Sequence, residues 1–183
     1  MAMDTSPRTY RFVPADIYTS GYRVVGKVMV ANTGVIGLMN DTTNSAMEVH
    51  DARMAKLHMP TKLVDHFDMV RMVKQRVMVM CLSRREDLGP AALVRGGYGR
   101  TITDYPVRFT SQVYEVEGKL ELPGRFDFQG LMFEGTRHFI PVFDAVLTAI
   151  LIPNLRVESP GMLFNRHHAD VVALLSQRAK EDK

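Results

Sequence analysis

The side chains of this chain with the types and spacings for chemistry are its histidines, its single cysteine and two recurring aspartates. His50 and His58 share parity on the run "MEVHDARMAKLHMP", and His66 follows closely. Three imidazoles so gathered could hold zinc. A related run at 139–153 carries Phe143 and Leu151 at the matching places, so the local strand geometry does not depend on imidazole. These histidines therefore read as solvated or rim groups. His167 and His168 are adjacent, and neighbours on a strand point to opposite faces, which is poor geometry for chelation. Cys81 sits inside the apolar run "MVMCLS" with no base beside it in sequence, which predicts a core thiol rather than a nucleophile. A lone cysteine also excludes an internal disulfide framework and a Cys-rich zinc site, and it fits a reducing cytoplasm. Asp51 and Asp144 are the acids that recur at one place in two related strands. A carboxylate so placed more often caps backbone N–H groups at a bend than performs acid–base work. No phosphate-cradling Gly-rich loop, H-E-x-x-H or G-x-S-x-G motif occurs. The expectation is a protein without catalytic residues, cofactor or metal.

The remaining chemical candidate is nucleic-acid contact. The segment "RGGYGR" offers Arg95 and Arg100 for phosphates and Tyr98 for stacking, with Lys74, Arg76, Arg84 and Arg85 as further cations. The formal net charge is only +3, too small an excess to argue such a partner from charge alone. The segment occurs once, in a stretch rich in small residues, and reads first as a linker.

The elements that must position these residues come in two related sets. "YRVVGKVMV" at 22–30 is echoed by "YEVEGKLEL" at 114–122, with Tyr22, Val24, Gly26 and Lys27 on Tyr114, Val116, Gly118 and Lys119. Gly37-Leu38-Met39 falls on Gly130-Leu131-Met132. Val49, Asp51, Ala52 and Pro60 fall on Val142, Asp144, Ala145 and Pro153, and Val79, Leu82 and Ser83 on Val172, Leu175 and Ser176. Matches in the same order along one diagonal are the mark of an internal repeat. Within each copy the apolar period is two, as on half-buried strands, and Gly26 and Gly118 interrupt it where a strand bends or a backbone comes close. Further strands are predicted at "HFDMVRMVK" and "RVMVMCLS", and at "GMLFNRH" and "DVVALLS". The organisation expected is an N-terminal extension at 1–21, a first module at 22–87, a linker at 88–113, a second module at 114–178 and a tail at 179–183. The start of the chain lacks a basic stretch leading into an apolar one, so no secretory signal is read there. The most apolar run, 139–153, is broken by Asp144 and falls short of the roughly 20 residues needed to span a bilayer. A cytoplasmic protein with no membrane span is expected.

The second copy resembles a small bacterial domain with an SH3- or Sm-like barrel. The resemblance is carried by Gly118, the Gly124-Arg125-Phe126 turn, Leu131, Phe139 to Ala145 and the Asn165-Arg166 pair, and the first copy keeps Gly26, Val49, Asp51 and Ala52. It implies an all-β chain of two tandem β-barrel modules and no particular activity. The short signatures of RNA-binding Sm proteins are not present.

Where the copies differ is informative. Val25 and Met29 stand where the second copy has Glu117 and Glu121, whereas Phe143 and Leu151 stand where the first has His50 and His58. A strand apolar on both faces is covered on both faces. Val25, Met29, Phe143, Leu147 and Leu151 are thus the candidate contact residues, met by the sister copy, another subunit or a different protein. The functional expectation is a non-catalytic assembly, scaffold or accessory subunit acting through protein–protein contacts, as an oligomer of itself or within a larger complex. An RNA- or DNA-binding module is the alternative.

Overall fold

A computed structural model of the chain describes residues 9–93 and 101–175. Ten strands form one antiparallel sheet: β1 (Arg11–Tyr18), β2 (Tyr22–Val30), β3 (Ala46–Lys56), β4 (Asp65–Val73), β5 (Val79–Leu82), β6 (Ile102–Thr110), β7 (Tyr114–Pro123), β8 (Phe139–Ala149), β9 (Ile152–Asn165) and β10 (Val171–Leu174). Two short helices, α1 (Gly34–Asn40) and α2 (Phe128–Met132), follow β2 and β7. The order across the sheet is β10-β6-β7-β8-β9-β5-β1-β2-β3-β4. Among the described residues the pairings do not close on themselves, so the two β-barrel modules expected share one continuous sheet whose open edges are β4 and β10. The reason lies in the middle. The edge at which the second half could close, β9, pairs with β5 of the first half.

Both halves run through the same order of strands, β5-β1-β2-β3-β4 and β10-β6-β7-β8-β9. The local chemistry matches as closely. The β2–β3 register slips between Val25 and Lys27, and the β7–β8 register slips between Glu117 and Lys119. At each slip stands the glycine singled out by the sequence. A Cβ on Gly26 would come within 2.8 Å of the His50 carbonyl oxygen, and one on Gly118 within 2.8 Å of the Phe143 carbonyl oxygen. Opposite them, Asp51 and Asp144 adopt φ of 49° and 46°, left-handed values costly for an L-residue and tolerated best by Gly, Asn and Asp. Such a bulge bends its strand and raises the local twist.

The structure adds a first strand to each half. β1 falls in the expected N-terminal extension and β6 in the expected linker, yet each lies inside the sheet between two partners. Pro14 and Pro106 sit in these strands opposite Lys27 and Lys119. A proline has no N–H for a ladder. Here none is needed: the pairing of β5 with β1 stops at Ala15, and beyond Val107 the β10 side gives only the Leu175 N–H to the Pro106 carbonyl, a bond that uses no N–H of the proline. The register also places Val79 and Leu82 beside Tyr18 and Ala15 as Val171 and Leu174 lie beside Thr110 and Val107. The last strands therefore correspond one residue earlier in the second half than the sequence diagonal had suggested.

Two cores result. One gathers Val13, Ile17, Val24, Val28 and Val49 with Met80 and Leu82, and is completed by Phe139, Phe143 and Leu163 of the second half. The other gathers Val107, Phe109, Val116 and Leu147 with Tyr18, Val79 and Cys81 of the first. Alternate residues of β5 thus enter opposite cores, which is why all four are buried.

Candidate interaction surfaces

The joint between the halves is held by side chains as well as by backbone. Its backbone ladder pairs Val79 with Phe164 and Leu82 with Gly161. At one end, the buried Asn165 side chain donates through Nδ2 to the Val77 carbonyl at 2.9 Å while its backbone N–H bonds the Met78 carbonyl. At the other end, the buried Ser159 hydroxyl donates to the Leu82 carbonyl at 2.7 Å. Tyr114, fully buried, donates its hydroxyl to the Thr19 carbonyl at 2.7 Å and meets the Tyr18 ring edge to face. Burial pushes both phenols above their ordinary range, so they act only as neutral groups. Asn40, at the end of α1, accepts from the N–H groups of His138 and Phe139 and so pins the start of β8. Arg85 lies 4.0 Å above the Phe143 ring and is ion-paired with Glu121.

The five candidate contact residues separate on this frame. Phe143 is buried in the core gathered mainly by the other half. Leu147 is buried in the core of its own half, so it presents nothing to a partner. Leu151 is 86% exposed in the turn before β9. Val25 is half-buried beside Gly26 and Lys27, and Met29 is 44% exposed. Met29 lies directly opposite Phe12 of β1, itself 53% exposed, and the Phe12 ring meets His50 edge to face at 5.1 Å. His50 in turn lies opposite Met69 of the edge strand. Sequence reasoning found Met29 but missed Phe12, because β1 itself had not been recognised.

The groups weighed for chemistry take structural places. Asp51 and Asp144 do not cap backbone N–H groups as expected; their exposed carboxylates pair with Lys27 at 2.8 Å and Lys119 at 3.1 Å. The Lys27 hydrogen bond and charge lower the Asp51 carboxyl below its usual range. Cys81 is buried, and that burial raises its thiol pKa well above the ordinary value. Among the described residues, no cluster of three His, Cys, Asp or Glu side chains has metal-binding geometry. His50, His58 and His66 do not converge. The sequence had passed over His138, which contacts His167 beside a cleft of about 180 Å³ that Asp41 and Lys74 also line. Burial, then the neighbouring His138, Arg166 and His168, lowers the His167 pKa.

Of the nucleic-acid candidates, Arg95, Tyr98 and Arg100 lie outside the described residues. Lys74 is buried and donates to the Asp41 carbonyl at 2.9 Å, so its ammonium is already engaged. Arg166 holds the corresponding place in the second half, donating to the Leu131, Glu134 and Gly135 carbonyls. Arg76 and Arg84 are exposed, and Arg84 pairs with Asp87 at 3.1 Å. No described helix is long and apolar enough to cross a membrane. No protein-family model, curated protein or solved structure matches the chain.

Proposed function

We propose that this chain is an internal duplication of one five-stranded module, each copy a rolled SH3- or Sm-like sheet left open between its fourth and fifth strands. We infer that it works as a non-catalytic assembly or scaffold subunit through protein–protein contacts. The observation supporting this reading is the continuous run of Met29, Phe12, His50 and Met69, which links the outer face of the first half to the edge strand β4. Apolar side chains left half exposed in contact with one another mark interaction sites more than isolated ones do. The lysine that would serve a nucleic-acid reading is meanwhile occupied in holding a loop.

The test is the state of the protein in its own cell. Tagged at its native level, it should elute far above its 20.7 kDa mass with stoichiometric protein, and Phe12→Glu with Met29→Glu should release that protein. Mixed DNA or RNA should not shift it at physiological salt. A free monomer in the lysate, or a salt-sensitive complex with nucleic acid, overturns the reading.

A further inference from the structure

Among the described residues, the strands paired on one side only, at the two ends of the sheet, are of the same two kinds that meet in its middle. The internal joint pairs the fourth strand of one half, β9, with the fifth strand of the other, β5. The open edges are the other fourth strand, β4, and the other fifth strand, β10. Several residues buried at the internal joint have counterparts left more open at an edge. Leu82 is 2% exposed and its counterpart Leu174 is 51% exposed; Val79 is fully buried and Val171 is half exposed. Tyr114, whose hydroxyl locks the joint, is fully buried, whereas Tyr22, its counterpart at the start of β2, is 47% exposed. The edge β4 further carries Phe67, Met69 and Val73, all large, apolar and exposed. A long strand edge carrying exposed apolar side chains is a template for pairing.

We propose that copies of this chain join head to tail, β4 of one pairing antiparallel with β10 of the next, so that the contact between chains repeats the contact within each chain. This rests on the assembly reading above and names its partner as a second copy. The internal joint fixes the register. Transferring Val79 opposite Phe164 and Leu82 opposite Gly161 to the edges puts Val171 of one copy opposite Met72 of the next, and Leu174 opposite Met69. Tyr22 would then reach the backbone at Ser111 of the neighbour, as Tyr114 reaches Thr19 within the chain. Such a contact is heterologous, so repeating it closes a ring or extends a filament.

Light scattering on the purified full chain tests this. The expected mass is a multiple of 20.7 kDa, either discrete or rising with concentration. Like charges facing each other across an interface oppose association strongly, so Met69→Lys combined with Leu174→Lys should weaken self-association about tenfold or more. Met69→Lys combined with Leu174→Glu should restore it. Both positions are about half exposed, and circular dichroism checks that each variant folds; if either does not, Tyr22→Ala should weaken association in the same way. A monomer at every concentration overturns the proposal, as does an oligomer indifferent to these variants. A purified monomer that nevertheless co-elutes with a different protein from its own cell would sink the homotypic joint while leaving the assembly function standing.

Discussion

Replacing Phe143 with histidine, the residue at the matching position 50, and Leu151 with histidine, the residue at position 58, separates two roles that look alike in sequence. Phe143 is 1% exposed, packed into the core of the first half and capped by the Arg85 guanidinium. Truncating a buried phenylalanine costs about 3–5 kcal/mol. Histidine keeps part of the ring but buries a polar imidazole beneath a cation, so the expected loss is about 2–4 kcal/mol. For a chain of this size that lowers the melting temperature by roughly 5–15 °C. Leu151, at 86% exposure, has little packing to lose, and the same substitution there should stay within about 0.5 kcal/mol. Urea unfolding followed by circular dichroism measures both, provided the slope against denaturant is unchanged. If Phe143→His costs less than about 1 kcal/mol, or if Leu151→His costs as much, then Phe143 is not what completes the first core, and the account of the joint fails.

Gly26→Ala and Gly118→Ala should each lose about 1–3 kcal/mol by overpacking, because each new Cβ meets a carbonyl oxygen at 2.8 Å; a urea midpoint that moves for only one of them would break the equivalence of the two bulges. Because His167 has a folded pKa below its unfolded value of about 6.5, the unfolded chain binds more protons below that pH and stability should fall as pH drops from about 7.5 to 5.5. His167→Gln, which installs the residue found at the corresponding position 75, should flatten that fall in melting temperature, and an unchanged pH profile would show that other groups carry it.

The features legible in the sequence were those with a local steric cause. A glycine that cannot bear a Cβ and an aspartate held at positive φ leave the same residue types at the same spacing wherever the bulge occurs, so Gly26, Asp51, Gly118 and Asp144 survived as a pattern. The lysines beside them survived too, although pairing with those aspartates was not foreseen. Cys81 read correctly as a core thiol because a long apolar run leaves little else for it to be.

What was not legible depended on contacts between distant segments. A proline inside a short run argues against an interior strand, and Pro14 and Pro106 hid β1 and β6 for that reason. Only the neighbouring chain, which offers neither proline a ladder bond that needs its N–H, makes the residue harmless there. The joint was hidden differently. An alternation of apolar and polar residues reveals one buried face, but β5 is apolar throughout, and such a run fits a strand shared by two cores as well as a strand in the middle of one. Periodicity cannot tell these apart, because both bury every residue. The distinction lies in β9, whose Met162 and Phe164 enter one core while Leu163 enters the other. A strand that serves two cores must have a neighbour that does the same, and in this chain the two lie side by side at the centre of the sheet. At the outer edges that mutual cover is missing: β4 is exposed from Asp65 to Met69 and half-buried only at Val70 and Met72, and β10 is half-buried at Val172 and Ala173 but exposed at both ends.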